Sequence, residues 1–129
     1  MHYHGGMIVY ACSDLFFATR IRSTADSLGV VTRPTRDAEA LQQRLDRVDD
    51  GKPNDPVRAV MVDLELGEAG IALVRQAKQH AAAPTVIAFG SHVAKEVLEA
   101  AQSAGADQVL PRSAFTTKLP ALLEQYGSA

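Results

Sequence analysis

The stretch VRAVMVDLEL, residues 57–66, decides the fold. Apolar residues fill Val57, Ala59, Val60, Met61 and Val62, and one carboxylate, Asp63, follows where such a run should surface. A run this short, apolar on both faces, is soluble only with helices packed on both sides, so it reads as a buried strand of a parallel sheet. Ligands and chemistry in open α/β sheets collect at the carboxyl ends of strands, which is where Asp63 falls.

On the N-terminal side lie residues 49–56, DDGKPNDP, so dense in turn formers that they read as a loop. Before them Ala38, Leu41, Leu45 and Val48 repeat at helical spacing behind a capping Asp37. Residues 30–35 read as a strand, but Pro34 cannot donate to a ladder and places that strand at a sheet edge. Residues 7–12, MIVYAC, are the first strand. Ser13 and Asp14 are both N-cap residues for a helix that carries Leu15, Ala18, Ile21, Ala25 and Leu28 and stops at Gly29. Residues 1–6 read as a flexible tail, in which His2 and His4 lack the carboxylate or thiol support of a metal site.

On the C-terminal side Gly67 precedes a helix to about His80, with Ile71, Val74, Ala77 and Ala81 in register. Residues 85–89, TVIAF, give a fourth strand that runs into Gly90, Ser91 and His92. Val93, Val97, Ala100, Ala101 and Ala104 mark the next helix, and Gly105 is its left-handed stop. Residues 108–110 are a short fifth strand, and the last helix aligns Phe115, Leu119, Leu122, Leu123 and Tyr126. Strands alternating with helices imply right-handed crossovers and a doubly wound parallel sheet. With the second strand at an edge, the order is 2-1-3-4-5, a flavodoxin-like (βα)5 three-layer sandwich, and residues 7–129 read as one domain.

Composition narrows the function classes. The 129 residues carry a net charge of −2, 22% charged and 47% hydrophobic residues, so neither disorder nor a pull toward nucleic acid or membrane surfaces is expected. The single cysteine, Cys12, excludes an internal disulfide and suits a reducing cytosol. Apolar stretches fall short of the roughly 20 residues of a membrane-spanning helix. The N-terminus lacks the apolar core of a signal peptide, and a soluble cytoplasmic protein is expected.

From Met7 to Tyr126 the chain resembles the receiver domain of bacterial two-component response regulators. The resemblance rests on the order of elements, on Val60-Met61-Val62-Asp63 ending the third strand, and on Ala104-Gly105-Ala106-Asp107 leading into the fifth. It implies that Asp63 is the phosphoacceptor, served by a partner histidine kinase. It also implies departures. The acidic pair that joins the acceptor in binding Mg²⁺ falls on Cys12 and Ser13, which leaves Asp14 to share a weak Mg²⁺ site with Asp63 or to cap the helix. The switch hydroxyl falls on Gly90, with Ser91 one residue late. The lysine falls on Arg112, and Ser113 replaces the proline after it. Arginine keeps the charge but is larger, planar and a bidentate donor. Mg²⁺ demands near-octahedral oxygen ligation, and electrostatic neutralisation is most of the catalysis in phosphoryl transfer. An atypical receiver with impaired phosphotransfer is the expectation.

Two readings of Asp63 stay open. As phosphoacceptor it needs Mg²⁺ held with Asp14, charge relief from Arg112 and a hydroxyl from Ser91. As a residual acid it is satisfied by a standing ion pair with Arg112 or by backbone donors. His92 faces the same rim, to bond Asp63, to titrate near neutrality or to cap the helix. An enzyme is the rival class, since Cys12 precedes a helix N-terminus that lowers a thiol pKa. However, no second cysteine stands two residues on and no Cys-x5-Arg loop follows. A small-ligand module would need a phosphate cradle, and neither G-x-G-x-x-G nor a P-loop occurs. The chain is therefore expected to be a stand-alone, non-enzymatic signalling domain, bound to neither nucleic acid nor membrane. Its expected partners are proteins, a histidine kinase or an output protein, with a homodimer as a further option. With no output domain expected after Ala129, its effect is expected to pass to a separate partner. By resemblance, Val97, Val109 and Tyr126 lie near the partner face of the fourth helix, fifth strand and fifth helix.

Overall fold

The computed structural model describes residues 6–49, 52–53 and 55–127. The stretch 57–63 becomes the central strand of a five-stranded parallel sheet. The strands are β1 (Met7–Ala11), β2 (Val31–Pro34), β3 (Val57–Asp63), β4 (Thr85–Gly90) and β5 (Gln108–Pro111), in spatial order β2-β1-β3-β4-β5. This is the flavodoxin-like order. β2 lies at one edge and β5 at the other, and each ends in a proline, where no inner ladder is broken. In β3 one residue is inserted: Met7 pairs with Val57 and Ile8 with Ala59, so Arg58 is skipped and stays exposed.

Period-two alternation sends the strand residues to two faces, and each face has its own helices. Helices α1 (Leu15–Leu28) and α5 (Arg112–Gly127) cover Ile8, Tyr10, Met61, Ile87 and Phe89 with Phe17, Ile21, Phe115 and Leu119. Helices α2 (Ala38–Leu45), α3 (Glu68–Gln79) and α4 (Lys95–Ser103) cover Val9, Val60, Val62 and Ala88 with Leu41, Leu73, Val74 and Ala101. Phe89 stacks on Phe115 with ring centroids 3.9 Å apart, and Phe17 stacks on Phe89 at 5.0 Å. No described helix is long and apolar enough to cross a membrane.

Local chemistry sets the helix ends. Asp14 accepts from the Phe17 amide at 2.7 Å, and Gly29 closes α1 at φ 72°. Asp37 accepts from the Ala40 amide at 2.8 Å to start α2. Asp107 accepts from the Val86 amide at 2.7 Å and from Lys78 at 2.8 Å, while Lys78 also donates to the Pro84 carbonyl at 3.0 Å. Burial alone would raise the Asp107 pKa, but these donors together hold it below the ordinary carboxylate value. A polar chain joins α2 to α3: Gln76 donates to the Ala38 carbonyl and to Gln42, Gln42 donates to Asp46, and Asp46 meets His80 Nε2 at 2.7 Å. The Ala82 amide donates to His80 Nδ1 at 2.9 Å, so the ring's proton toward Asp46 sits on Nε2.

Several sequence expectations are corrected. Leu15 is 79% exposed, because the first turn of α1 overhangs the sheet, and Phe17 takes the buried place. α2 stops at Leu45, so Val48 leaves its stripe. Val48 instead joins Asp49, the first residue of the expected loop, in a short strand that pairs antiparallel with Lys52–Pro53. Val93 is exposed ahead of α4, and Ala81 and Ala100 are exposed as well. Of the tail, residues 1–5 with His2 and His4 lie outside the described residues. Gly6 is buried, with the Arg58 side chain standing where a Cβ would go.

Candidate functional site

Asp63 ends β3 fully buried, at 0% exposure, and caps the 3-10 turn Leu64–Leu66. The parallel register that pairs Ala11 with Val62 carries the chain after β1 directly past the carboxylate. Ser13 therefore donates to Oδ2 twice, from its amide at 3.0 Å and from Oγ at 2.8 Å. The Glu65 amide donates to Oδ1 at 3.0 Å, and Arg112 Nη2 donates to the same oxygen at 3.3 Å. Donors surround both oxygens, which offsets the cost of taking a carboxylate out of water.

Arg112 is held from more than one side. It is the first residue of α5, its Nη2 also lies 3.6 Å from Glu65 Oε2, and its guanidinium sits 5.3 Å over the Phe17 ring. The Phe17, Phe89 and Phe115 stack fixes that ring from beneath. Arg112 thus reaches Asp63 from a rigid aromatic platform.

The remaining sequence candidates are dispersed. Asp14 is exposed and its Oδ1 is taken by the Phe17 amide. Among the described residues no group of three His, Cys, Asp or Glu side chains converges as a metal site. A Cβ on Gly90 would stand 3.1 Å from Leu64 Cβ, so the residue that replaces the switch hydroxyl is confined by packing. Ser91 Oγ accepts from the Val93 amide at 3.3 Å, a local turn contact. His92 is exposed and is not among the partners of Asp63. Val97 and Val109 pack, half-buried, on the α2–α4 side of the sheet, whereas half-buried Tyr126 packs on the α1–α5 side, so the three flank the β5 edge from opposite faces.

The rival reading of Cys12 as a reactive thiolate finds no support in its surroundings. Burial pushes the Cys12 thiol up to about 12, the Asp63 and Asp14 carboxylates push the same way, and Arg112 opposes them. Sequence reasoning missed Ser13 as the main partner of Asp63, along with Glu65 and Phe17. The available signal was register: in adjacent parallel strands that end together, the residue after one strand faces the end of the other.

In its fold the chain is similar to solved response-regulator structures. A response regulator from Thermotoga maritima matches with a TM-score of 0.71 at 15% identity, over 96% of this chain and 99% of that one. The receiver domain of NtrX from Brucella abortus matches at 0.71 and 19% identity, over 92% and 96%. A response regulator protein from Burkholderia pseudomallei, solved with a phosphorylated aspartic acid, a calcium ion and citrate, matches at 0.69 and 17% identity, over 92% and 66%. No protein-family model matches the chain, and no curated protein matches it in sequence. At these identities the likeness establishes the fold.

Proposed function

We propose that this chain is an atypical receiver-like signalling domain that acts through protein contacts and whose phosphotransfer chemistry is impaired. The observation that carries this reading is the saturation of Asp63 by Ser13, Glu65 and Arg112. A phosphoacceptor must present a carboxylate oxygen to the incoming phosphorus, and here each oxygen already accepts two hydrogen bonds. The donor set does not fit Mg²⁺. Asp63 is encircled by N–H and O–H groups, Asp14 is turned to its helix, and the position of a second acid holds a hydroxyl. The Burkholderia pseudomallei response regulator was solved with a phosphorylated aspartic acid and a calcium ion. Here a neutral hydroxyl and a fixed guanidinium stand around the acid instead.

In this reading the chain is a cytoplasmic, non-enzymatic module whose partners are proteins, a histidine kinase or an output protein. Contact is made around the rim above Asp63 and the half-buried Val97, Val109 and Tyr126. The test is amide NMR of the purified chain, titrated with Mg²⁺ and then beryllofluoride, a phosphoryl mimic, with Asp63→Asn as control. Unchanged spectra at millimolar-scale Mg²⁺ are expected. Shifts centred on Asp63, Asp14, Ser91 and Arg112, absent from the control, would make the chain a working phosphoacceptor and overturn the proposal.

A further inference from the structure

Among the described residues, two other than glycine sit at positive φ, Arg47 at 67° and Ala83 at 43°. Side chains with a Cβ seldom adopt that backbone, and it persists only where the surroundings hold it. One ring stands between the two. Arg47 follows Asp46 at the end of α2, Ala83 follows Ala82 in the turn from α3 to β4, and His80 touches both neighbours. Its Nε2 meets Asp46 Oδ1 at 2.7 Å, and its Nδ1 accepts from the Ala82 amide at 2.9 Å. The His80 side chain is 15% exposed, sheltered yet within reach of a proton.

The two contacts make opposite demands on that proton. Neutral imidazole has one donor and one acceptor, and here both are used, the Nε2 proton on Asp46 and the Nδ1 lone pair on Ala82. A second proton must land on Nδ1. It turns the acceptor into a donor, and two N–H groups then face each other across 2.9 Å. The Asp46 contact gains instead, because a cation now meets a carboxylate. Asp46 is charged throughout the range in which imidazoles titrate, since the hydrogen bond from His80, with Gln42 adding to it, holds its carboxyl below the ordinary 3.8. Of the other charged groups, Arg75 of α3 is exposed and shares a cleft with His80, and Lys78 is engaged by the Pro84 carbonyl and Asp107. Arg47, next to Asp46, has contacts of its own.

We infer that His80 is a pH-sensitive latch: the neutral ring ties the end of α2 to the turn at residues 81–84, and the protonated ring keeps α2 and releases the turn. The freed amide passes to water, because Ala81, Ala82 and Ala83 are exposed. Ala83 then loses the neighbouring contact that opposes its return from positive φ. Both α2 and α3 end where the strands begin, so the latch sits at the end of the sheet opposite Asp63 and is independent of that residue's chemistry.

The test is NMR of the full chain between about pH 5 and 8, the span in which imidazoles change charge. At the alkaline end the ring nitrogens should show a protonated Nε2 and a bare Nδ1. On acidification the Ala82 amide signal should move with the same midpoint as the His80 ring protons. The heteronuclear NOE of residues 81–83 should fall over that span, while those of Leu45 and Asp46 hold. His80→Gln should abolish the pH response of Ala82. A neutral ring protonated on Nδ1, an Ala82 amide that stays put or moves without the ring, residues 81–83 equally ordered with the ring charged, or the same response in His80→Gln would each overturn the inference.

Discussion

At Asp63 every neighbour donates, Ser13 through amide and hydroxyl, Glu65 through its amide and Arg112 through Nη2. An amide in its place turns an NH₂ against a donor. Asp63→Asn should therefore lower the unfolding free energy by about 2 kcal/mol, seen as a lower urea midpoint at unchanged m, while the fold survives. Cys12 is perturbed by its burial. With its thiol raised to about 12, alkylation by iodoacetamide at pH 8 should run on the order of 100-fold slower in the folded chain than in urea. A raised thiol favours the folded state below its ordinary value of 9.0, and that contribution is lost as the pH climbs from there to about 12. Midpoints measured across this window should fall, and Cys12→Ala should flatten the fall. Part of the site is legible in the chain. A charge closing an apolar strand demands an answer, and Arg112 is the cation at the end of a later strand. Ser13 is not legible, because Ser13 and Asp14 are interchangeable as N-caps. The structure gives the cap to Asp14 and so releases Ser13 to Asp63.

Elements are where the sequence speaks most clearly, since caps and stops punctuate it. Asp14, Gly29 and Asp37 mark helix ends without reference to anything distant. Gly29 sits at φ 72° with open space where a Cβ would be, so Gly29→Ala tests backbone strain alone. It should cost about 1 kcal/mol in urea unfolding. Two elements escape a local reading. The pairing of Val48–Asp49 with Lys52–Pro53 hides in a segment whose glycine and prolines spell only a turn. In α1 both Leu15 and Phe17 fit the apolar period, and only the length of the sheet beneath decides between them. The α2–α3 link makes its own prediction. A hydrogen bond from His80 is the main reason that Asp46 titrates below its ordinary 3.8, with Gln42 adding to it. The link therefore stabilises the fold above about that pH, and its contribution disappears as the pH falls through the lowered value. Carboxyl NMR titration should show Asp46 returning upward in His80→Ala.

On the scale of the molecule, the order β2-β1-β3-β4-β5 brings the ends of β1, β3 and β5 to one rim, and the rim's behaviour hangs on few side chains. Ser13→Asp sets a second carboxylate beside Asp63. Like charges at that distance should lower the melting temperature without divalent cations, and roughly 10 mM Mg²⁺ should raise it by about 3 °C or more, while the parent chain does not respond. A variant indifferent to Mg²⁺ would mean that Arg112 alone keeps cations out. A last consequence follows from Pro34 and Pro111. Open sheets invite a foreign strand to add itself at the rim through main-chain pairing, and this sheet ends on both flanks in a four-residue strand closed by a residue with no N–H to offer. Growth by strand addition, the usual road to fibres, is blunted at both ends. A partner that approaches either edge finds a main-chain donor missing there, so recognition through side chains is favoured.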